Sequence, residues 1–178
     1  MVIRLPLVAI TLLALATVSV SAEDHKPHAK EVKSAVFDKF RQLEGEWVGK
    51  EKSKADHDVT VKYKLTSGGT AIMETLGAGT DHEMVTMIHP DGDDLLLTHY
   101  CMLGNQPQMK ASGKELGNKV DFKFVRATNM KSDKEMHMHN VTFTFVDKDT
   151  LKTEWTNYDD GKEAGKVVFE FKRKKQDM

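Results

Sequence analysis

The chain contains a single cysteine, Cys101, among its 178 residues, so it cannot form an internal disulfide. A fold without disulfides has to take its stability from an apolar core. In an oxidising compartment a lone thiol persists most easily when it is buried. The scarcity of cysteine therefore excludes a disulfide-stapled scaffold and favours a buried Cys101.

An excess of either charge is also missing, because 26 lysines and arginines stand against 27 aspartates and glutamates. This balance gives no electrostatic reason to expect nucleic acid or an anionic membrane as a partner. The sequence further lacks a glycine-rich phosphate loop, a Gly-x-Ser-x-Gly elbow and an HExxH motif. We therefore assign no catalytic residue, and a binding protein is favoured over an enzyme.

The N-terminal segment has the pattern of a signal peptide. One positive charge precedes the apolar run Leu5 to Val20, and small residues stand at its end, at Val20 and Ala22. We expect a signal peptide over residues 1–22, a mobile tail over 23–30 and a single domain over 31–175. The expected location is periplasmic or extracellular, with no membrane anchor after cleavage.

Cleavage after Ala22 would place His25 third in the new chain. A free amine, two backbone amides and an imidazole then form a four-nitrogen set suited to Cu(II) or Ni(II). His25 is therefore a metal candidate under that cleavage alone.

The segment "EVKSAVFDKFRQLEG" places Val32, Val36, Phe37, Phe40 and Leu43 on one helical face before a glycine. This spacing predicts a short amphipathic helix over residues 31–44.

From Glu46 onward the apolar period changes to two. Segments such as "VTVKYKL", "VDFKF", "HNVTFTFV" and "KVVFEFKRK" alternate apolar with polar residues and are separated by short turns. About ten strands joined by hairpin-sized turns predict an all-β, antiparallel up-and-down meander that closes into a barrel. Two strands around "EMVTMIH" and "LLLTHYCML" are apolar on both faces. Their outer face is expected to lie beneath the helix or a partner subunit, and the helix is preferred because its apolar stripe needs a partner.

The stretch "LEGEWVG", Leu43 to Gly49, follows the helix into the first strand and resembles the opening of calycin-type barrels, the lipocalins and their relatives. The likeness is greatest to nitrobindin-like ten-stranded barrels and to uncharacterised exported bacterial proteins, which "TSGGTAIMETL" and "GNQPQM" also resemble. The resemblance implies a Trp47 that plugs one barrel end. It also implies a cavity for a small apolar molecule, or for haem. Nitrobindin-like haem sites use a histidine near the C-terminus, and "GKVVFEFKRKKQDM" has none.

His99 and Cys101 stand two apart in a predicted strand and therefore share a face. Three interpretations remain open: a buried thiol beside a hydrogen-bonded histidine, a pair that faces a ligand or metal, and a nucleophilic pair. His137 and His139 share a face with Val141 in the predicted interior, whereas Met136 and Met138 point outward. The metal candidates are thus His99, Cys101, His137 and His139.

The favoured function is the binding of a small, largely apolar ligand in the barrel by a monomer or homodimer. The predicted ligand-binding residues are Tyr63, His99, Phe124, His137, His139, Phe143 and Trp155. Further aromatic residues of the predicted interior are Phe122, Phe145, Phe169 and Phe171. The alternatives are a redox protein that holds haem or a transition metal, and a barrel filled with side chains that acts as a structural or interaction module.

Overall fold

The computed structural model describes residues 34–52, 58–114 and 117–175. The predicted signal peptide, the tail and His25 lie outside the described residues. Within them are one α-helix and ten strands: α1 (Ala35–Arg41), β1 (Gly45–Glu51), β2 (Asp58–Thr66), β3 (Ala71–Leu76), β4 (Met84–Asp91), β5 (Asp94–Tyr100), β6 (Gln106–Ala111), β7 (Lys119–Thr128), β8 (His137–Asp147), β9 (Thr150–Asp159) and β10 (Lys162–Arg173).

Each strand pairs antiparallel with its neighbours in the chain, and β1 pairs with β10 to close the ring. The predicted all-β meander barrel of ten strands is confirmed. Alternate residues of each strand point inward, so the apolar set of each period-two segment is buried. Examples are Val120 and Phe122 on β7 and Leu95 and Leu97 on β5, all of which are fully buried.

The helix is shorter than the predicted span of 31–44. It begins after Ser34, whose hydroxyl accepts a hydrogen bond from the Phe37 amide at 3.2 Å. It ends at Arg41, because the Leu43 amide bonds the Phe40 carbonyl three residues back and the chain then turns into β1. Residues 31–33 lie outside the described part of the chain.

The helix closes one end of the barrel from the inside. Its Phe40 ring meets the rings of Phe122, Phe143 and Phe145 edge-on, at centroid distances of 5.9, 5.2 and 5.3 Å. The expectation that α1 covers the outer face of β4 and β5 is therefore wrong. Inside the barrel end the helix buries Val36, Phe37 and Phe40 completely, whereas the outer face of the wall offers a curved and shallow surface.

Trp47 lies at the same end, which we call the closed end. Its indole nitrogen donates to the Leu43 carbonyl at 2.8 Å, and the guanidinium of Arg173 lies 4.1 Å from the centre of its ring. Arg173 also donates to the carbonyls of Gln42 and Glu44. This one arginine therefore ties the last strand to the turn between α1 and β1.

Candidate functional site

Four inward-facing polar residues form a continuous line across neighbouring strands. Tyr63 on β2 pairs with Glu74 on β3, Glu74 with Thr86 on β4, and Thr86 with His99 on β5. Their side chains are almost completely buried, with 1–2% of each residue exposed. We call these four residues the polar belt. Each takes an inward position because it alternates with residues that point outward.

The polar belt is joined by hydrogen bonds. The Tyr63 hydroxyl donates to Oε2 of Glu74 at 2.8 Å. The Thr86 hydroxyl oxygen lies 3.1 Å from Oε1 of Glu74 and 3.0 Å from Nδ1 of His99. Because a hydroxyl carries one proton, Thr86 donates to only one of these neighbours and accepts from the other.

Burial shifts the acid–base behaviour of the polar belt. Loss of hydration raises the pKa of Glu74 to about 7, although hydrogen bonds from Tyr63 and Thr86 act in the opposite direction. The same loss of hydration lowers the pKa of His99 to about 4. Burial, with the nearby Glu74 carboxylate, also raises the pKa of Tyr63. At neutral pH His99 is therefore uncharged, and Glu74 is divided between its two forms.

His99 has one ring nitrogen that is not used. Its ring packs against that of Trp155, with centroids 4.7 Å apart, and Nδ1 bonds Thr86. Nε2 has no hydrogen-bond partner among the described residues. In that part of the chain the enclosed side-chain nitrogen and oxygen atoms without a partner are Arg41 Nε and Asn105 Oδ1. Nε2 is not one of them and therefore keeps a small exposed surface.

A cavity of about 500 Å³ opens at the end of the barrel opposite α1. We call it the mouth cavity. The large apolar residues of its lining are Val59, Leu76, Met84, Met102 and Phe169, and its remaining lining consists of Glu51, Asp58, Thr60, Gly77, Ala78, Thr80 and His82. Leu76 and Met84 are cross-strand partners, each two residues from a member of the polar belt. The polar belt thus lies deeper in the barrel than Leu76 and Met84, at the next inward-facing position of each strand.

The seven predicted ligand-binding residues are placed elsewhere in the barrel. None of them is among the residues that line the mouth cavity. Tyr63 and His99 belong to the polar belt, and Trp155 packs on His99. Phe143 is fully buried against Phe40 in the closed end.

A β-bulge changes the predicted position of the β8 residues. The register shifts between Met138 and Asn140, so His139 is an extra residue in the strand. Met138 pairs with Asn157 and packs against the core, so the prediction that it points outward is wrong. The prediction assigned inward positions in steps of two from Val141. It fails here because the extra residue of the bulge reverses which residues face inward.

The histidines of β8 form a local stack. Nε2 of His137 lies 3.0 Å from Nδ1 of His139. The His139 ring lies against Phe124 and Tyr158, with centroid distances of 4.4 and 3.7 Å. In the described part of the chain no group of three or more histidine, cysteine, aspartate or glutamate residues is placed to hold a metal ion.

Cys101 follows the end of β5 and is half-buried. Its amide donates to the Asn105 carbonyl at 3.2 Å, within the turn to β6. Burial raises the pKa of the thiol, whereas a catalytic cysteine needs its pKa lowered. The hydrogen bond of His99 is made to Thr86. These observations fit an unreactive thiol.

Glu74 and Thr86 were not among the predicted site residues. A signal for Glu74 is present in "AIMETL", where it alternates with Ile72 and Leu76 and interrupts an otherwise apolar face. A carboxylate on such a face needs buried partners, and those partners come from β2 and β4. Strand pairing, which the alternation alone does not determine, brings them together.

A larger cavity of about 870 Å³ lies at the closed end, near Arg173. Charged residues dominate its lining, and Lys62 and Lys174 both pair with Glu46 there, at 3.0 and 3.5 Å. Such exposed ion pairs are typical of a solvated surface. We therefore take the mouth cavity, with the polar belt beneath it, as the candidate site.

Comparisons with protein-family models and with curated proteins find no match to this chain. Among solved structures it is similar to a protein of unknown function from the DUF3598 family of Nostoc punctiforme, with 14% sequence identity and a TM-score of 0.48. That similarity covers 76% of this chain and 49% of the other, so the chain spans about half the length of the protein it matches. No helix in the described residues is long and apolar enough to cross a membrane.

Proposed function

We propose that the protein binds a small, largely apolar molecule in the mouth cavity of its barrel. The observation that carries this proposal is the cavity itself, about 500 Å³ in volume, with Val59, Leu76, Met84, Met102 and Phe169 on its apolar side. Binding sites for small organic molecules have about 300–1,000 Å³ and a mainly apolar lining with a few polar groups. The polar belt supplies such groups one layer deeper.

The lining is also adaptable. Met84 and Met102 are unbranched, and Met102 is 54% exposed at the rim. Methionine side chains rearrange readily around ligands of different shape. We therefore expect selection by size and apolarity at the rim, and by hydrogen bonding below it.

Filling the cavity tests the proposal. The neutral fluorophore N-phenylnaphthylamine serves as an apolar probe, and Met84→Trp places a bulky ring in the cavity. We expect Met84→Trp to weaken binding of the probe about tenfold or more, because the ring occupies the volume that the probe needs. Fluorescence titration measures the affinity.

The matched control is Val85→Trp. Val85 is the next residue of β4 and points to the outer face of the wall. This variant should bind the probe as the unmodified protein does. Equal binding by both variants, or no binding by the unmodified protein, would refute the proposal.

We also propose a calycin-like relationship and export through the N-terminal segment. The meander barrel, with the Gly45–Trp47 element at its closed end, supports the first. The apolar run Leu5 to Val20 followed by small residues supports the second. Mass spectrometry of the protein secreted by its own host tests export, since cleavage after Ala22 would leave Glu23 at the new N-terminus.

A further inference from the structure

The charges around the polar belt limit what a ligand can present to it. Besides Tyr63 and the tryptophans, the buried polar and charged side chains of the described residues are Glu74, Thr86, His99, Asn105, His137, Thr153 and Thr156, with no lysine or arginine. A carboxylate ligand would therefore be buried beside Glu74 without a cation to pair with it, and an ammonium ligand would find both Glu74 oxygens already hydrogen-bonded to Tyr63 and Thr86. Burying an unpaired charge is strongly unfavourable, whereas a neutral hydroxyl or carbonyl needs only one hydrogen bond.

The polar belt has one ring nitrogen without a hydrogen-bond partner among the described residues. Oε2 of Glu74 accepts from Tyr63, and Oε1 lies beside the Thr86 hydroxyl. Nδ1 of His99 bonds Thr86, so Nε2 is the ring nitrogen that remains. The Trp155 ring packs on the imidazole and limits its rotation. The free nitrogen is therefore held in a fixed direction.

We propose, on the basis of the function proposed above, that Nε2 of His99 anchors the polar end of a neutral amphiphile, an alcohol or a ketone, whose apolar part fills the mouth cavity. Met84 and Leu76 lie between the cavity and the belt, each two residues from a belt member. A ligand that displaces the flexible Met84 side chain reaches the imidazole.

The hydrogen-bonding role of Nε2 depends on the proton of Glu74. When Glu74 is ionised, the hydroxyls of Tyr63 and Thr86 both donate to it. The Thr86 oxygen then accepts from Nδ1–H, and Nε2 is an acceptor. When Oε1 of Glu74 is protonated it donates to Thr86, Thr86 donates to Nδ1, and Nε2 carries the proton.

The two arrangements differ by one proton. A proton taken from solvent at Nε2 forms an N–H bond there, while Nδ1 passes its proton to Thr86 and Thr86 passes its own to Glu74. Tyr63 and Glu74 are the titratable groups linked to His99 through this chain, and Trp155 faces it from β9. An alcohol can bond Nε2 in both arrangements, whereas a ketone can only accept from Nε2–H.

The first test compares polar ends on one apolar chain. Octanol, octanoic acid and octylamine compete with N-phenylnaphthylamine for the full-length protein. We expect octanol to bind most tightly of the three. His99→Phe should lower the affinity for octanol about fivefold, which corresponds to the loss of one hydrogen bond, and should leave the affinity for the probe unchanged. If octanoic acid or octylamine bound as tightly as octanol, the proposal that the ligand is neutral would be refuted.

The probe separates this proposal from the function on which it depends. If His99→Phe binds probe and octanol as the unmodified protein does, the anchor is refuted and the cavity function stands. If the unmodified protein binds neither probe nor octanol, both proposals fail.

A second test needs no change at His99. The affinities of octanol and methyl hexyl ketone are measured at about pH 5.5 and about pH 8.5, on either side of the Glu74 transition. We expect the ketone to bind about fivefold more weakly at the higher pH and octanol to change less than about twofold. Thr86→Val, which interrupts the proton chain, should remove the pH dependence of the ketone. If the affinity of the unmodified protein for the ketone did not depend on pH, the proposed change of Nε2 between hydrogen-bond acceptor and donor would be refuted.

Discussion

At the closed end of the barrel, α1 and the strand termini fill the interior with aromatic rings, and Phe40 meets three of them edge-on. At the mouth, the same strands leave a cavity above four hydrogen-bonded polar residues, and its lining combines aliphatic and methionine side chains with Phe169 and several polar residues. The closed end has the character of a packed core. The mouth keeps the features that ligand sites need, namely volume, flexible lining and a few oriented polar groups.

One meander combines a packed end with an end that holds a cavity. Strand pairing closes the wall around the whole barrel, with a register shift between Met138 and Asn140 on β8 near the mouth. The two ends differ mainly in the residues that point inward. Aromatic layers near α1 stabilise the barrel, and the mouth is then free to keep a cavity and buried polar groups, which are both destabilising.

The largest expected effect is the loss of a ring from the closed end. Phe40→Ala should lower the free energy of unfolding by about 3–5 kcal/mol, because it opens a cavity among rings that cannot collapse. Phe169→Ala, at the mouth, should lower the free energy of unfolding by a smaller amount, at least about 1 kcal/mol less than Phe40→Ala does. The reason is that it enlarges a cavity that already reaches solvent. Urea unfolding measures both. Equal losses would mean that the two ends are packed alike.

The next prediction concerns the pH dependence of stability at the mouth. Because the pKa of Glu74 rises from 4.5 to about 7 on folding, its contribution to the free energy of unfolding is greatest below pH 4.5 and is lost as the pH rises to about 7. Because the pKa of His99 falls from 6.5 to about 4, its contribution is greatest above pH 6.5 and is lost as the pH falls to about 4. Each contribution amounts to about 3 kcal/mol, and the two oppose each other.

Two single variants separate these contributions. Relative to the unmodified protein, Glu74→Gln should gain about 3 kcal/mol of stability as the pH rises through the Glu74 range, because it lacks the group that becomes charged. As the pH rises from about 4 to 6.5, His99→Gln should lose a similar amount of stability relative to the unmodified protein, because it lacks the group that loses its charge on folding over this range. Urea unfolding at several pH values between these limits gives both slopes. Parallel curves for all three proteins would contradict the buried polar belt.

Much of the fold was predictable, because each strand repeats a pattern that depends only on local alternation. Phe122, Phe143 and Phe171 are buried as their spacing predicts. The position of α1 was not predictable in this way. An apolar helical stripe fits either the outside of the wall or the open end of the barrel, and only the barrel's shape decides between them.

The candidate site was less predictable than the fold. Tyr63 and His99 were selected for their chemistry, but Glu74 became visible only once strand pairing placed it between Tyr63 and Thr86. The bulge at His139 has no clear signature in "EMHMHNVTF", and one extra residue is enough to turn Met138 toward the core. Errors of this kind accumulate near barrel ends, where bulges are common.

A smaller effect is expected for the connection at the closed end. Arg173→Met removes the contact with the Trp47 ring and the hydrogen bonds to the Gln42 and Glu44 carbonyls. The free energy of unfolding should fall by about 1–2 kcal/mol. The control is Lys172→Met, on the exposed face of the same strand, which should change stability by less than about 0.5 kcal/mol. Equal effects would show that the closed end does not depend on Arg173.

The smallest expected effect is that of Cys101→Ser. The thiol lies in the turn after β5, and backbone amides of Met102 and Leu103 point toward its sulfur. A serine oxygen accepts the same bonds, so the free energy of unfolding should change by less than about 1 kcal/mol. Since burial raises the pKa of the thiol, the folded protein should also react with iodoacetamide more slowly than the urea-unfolded protein at the same pH. A faster reaction in the folded state would instead mean that the mouth activates this thiol, and the unreactive role assigned to Cys101 would have to be abandoned.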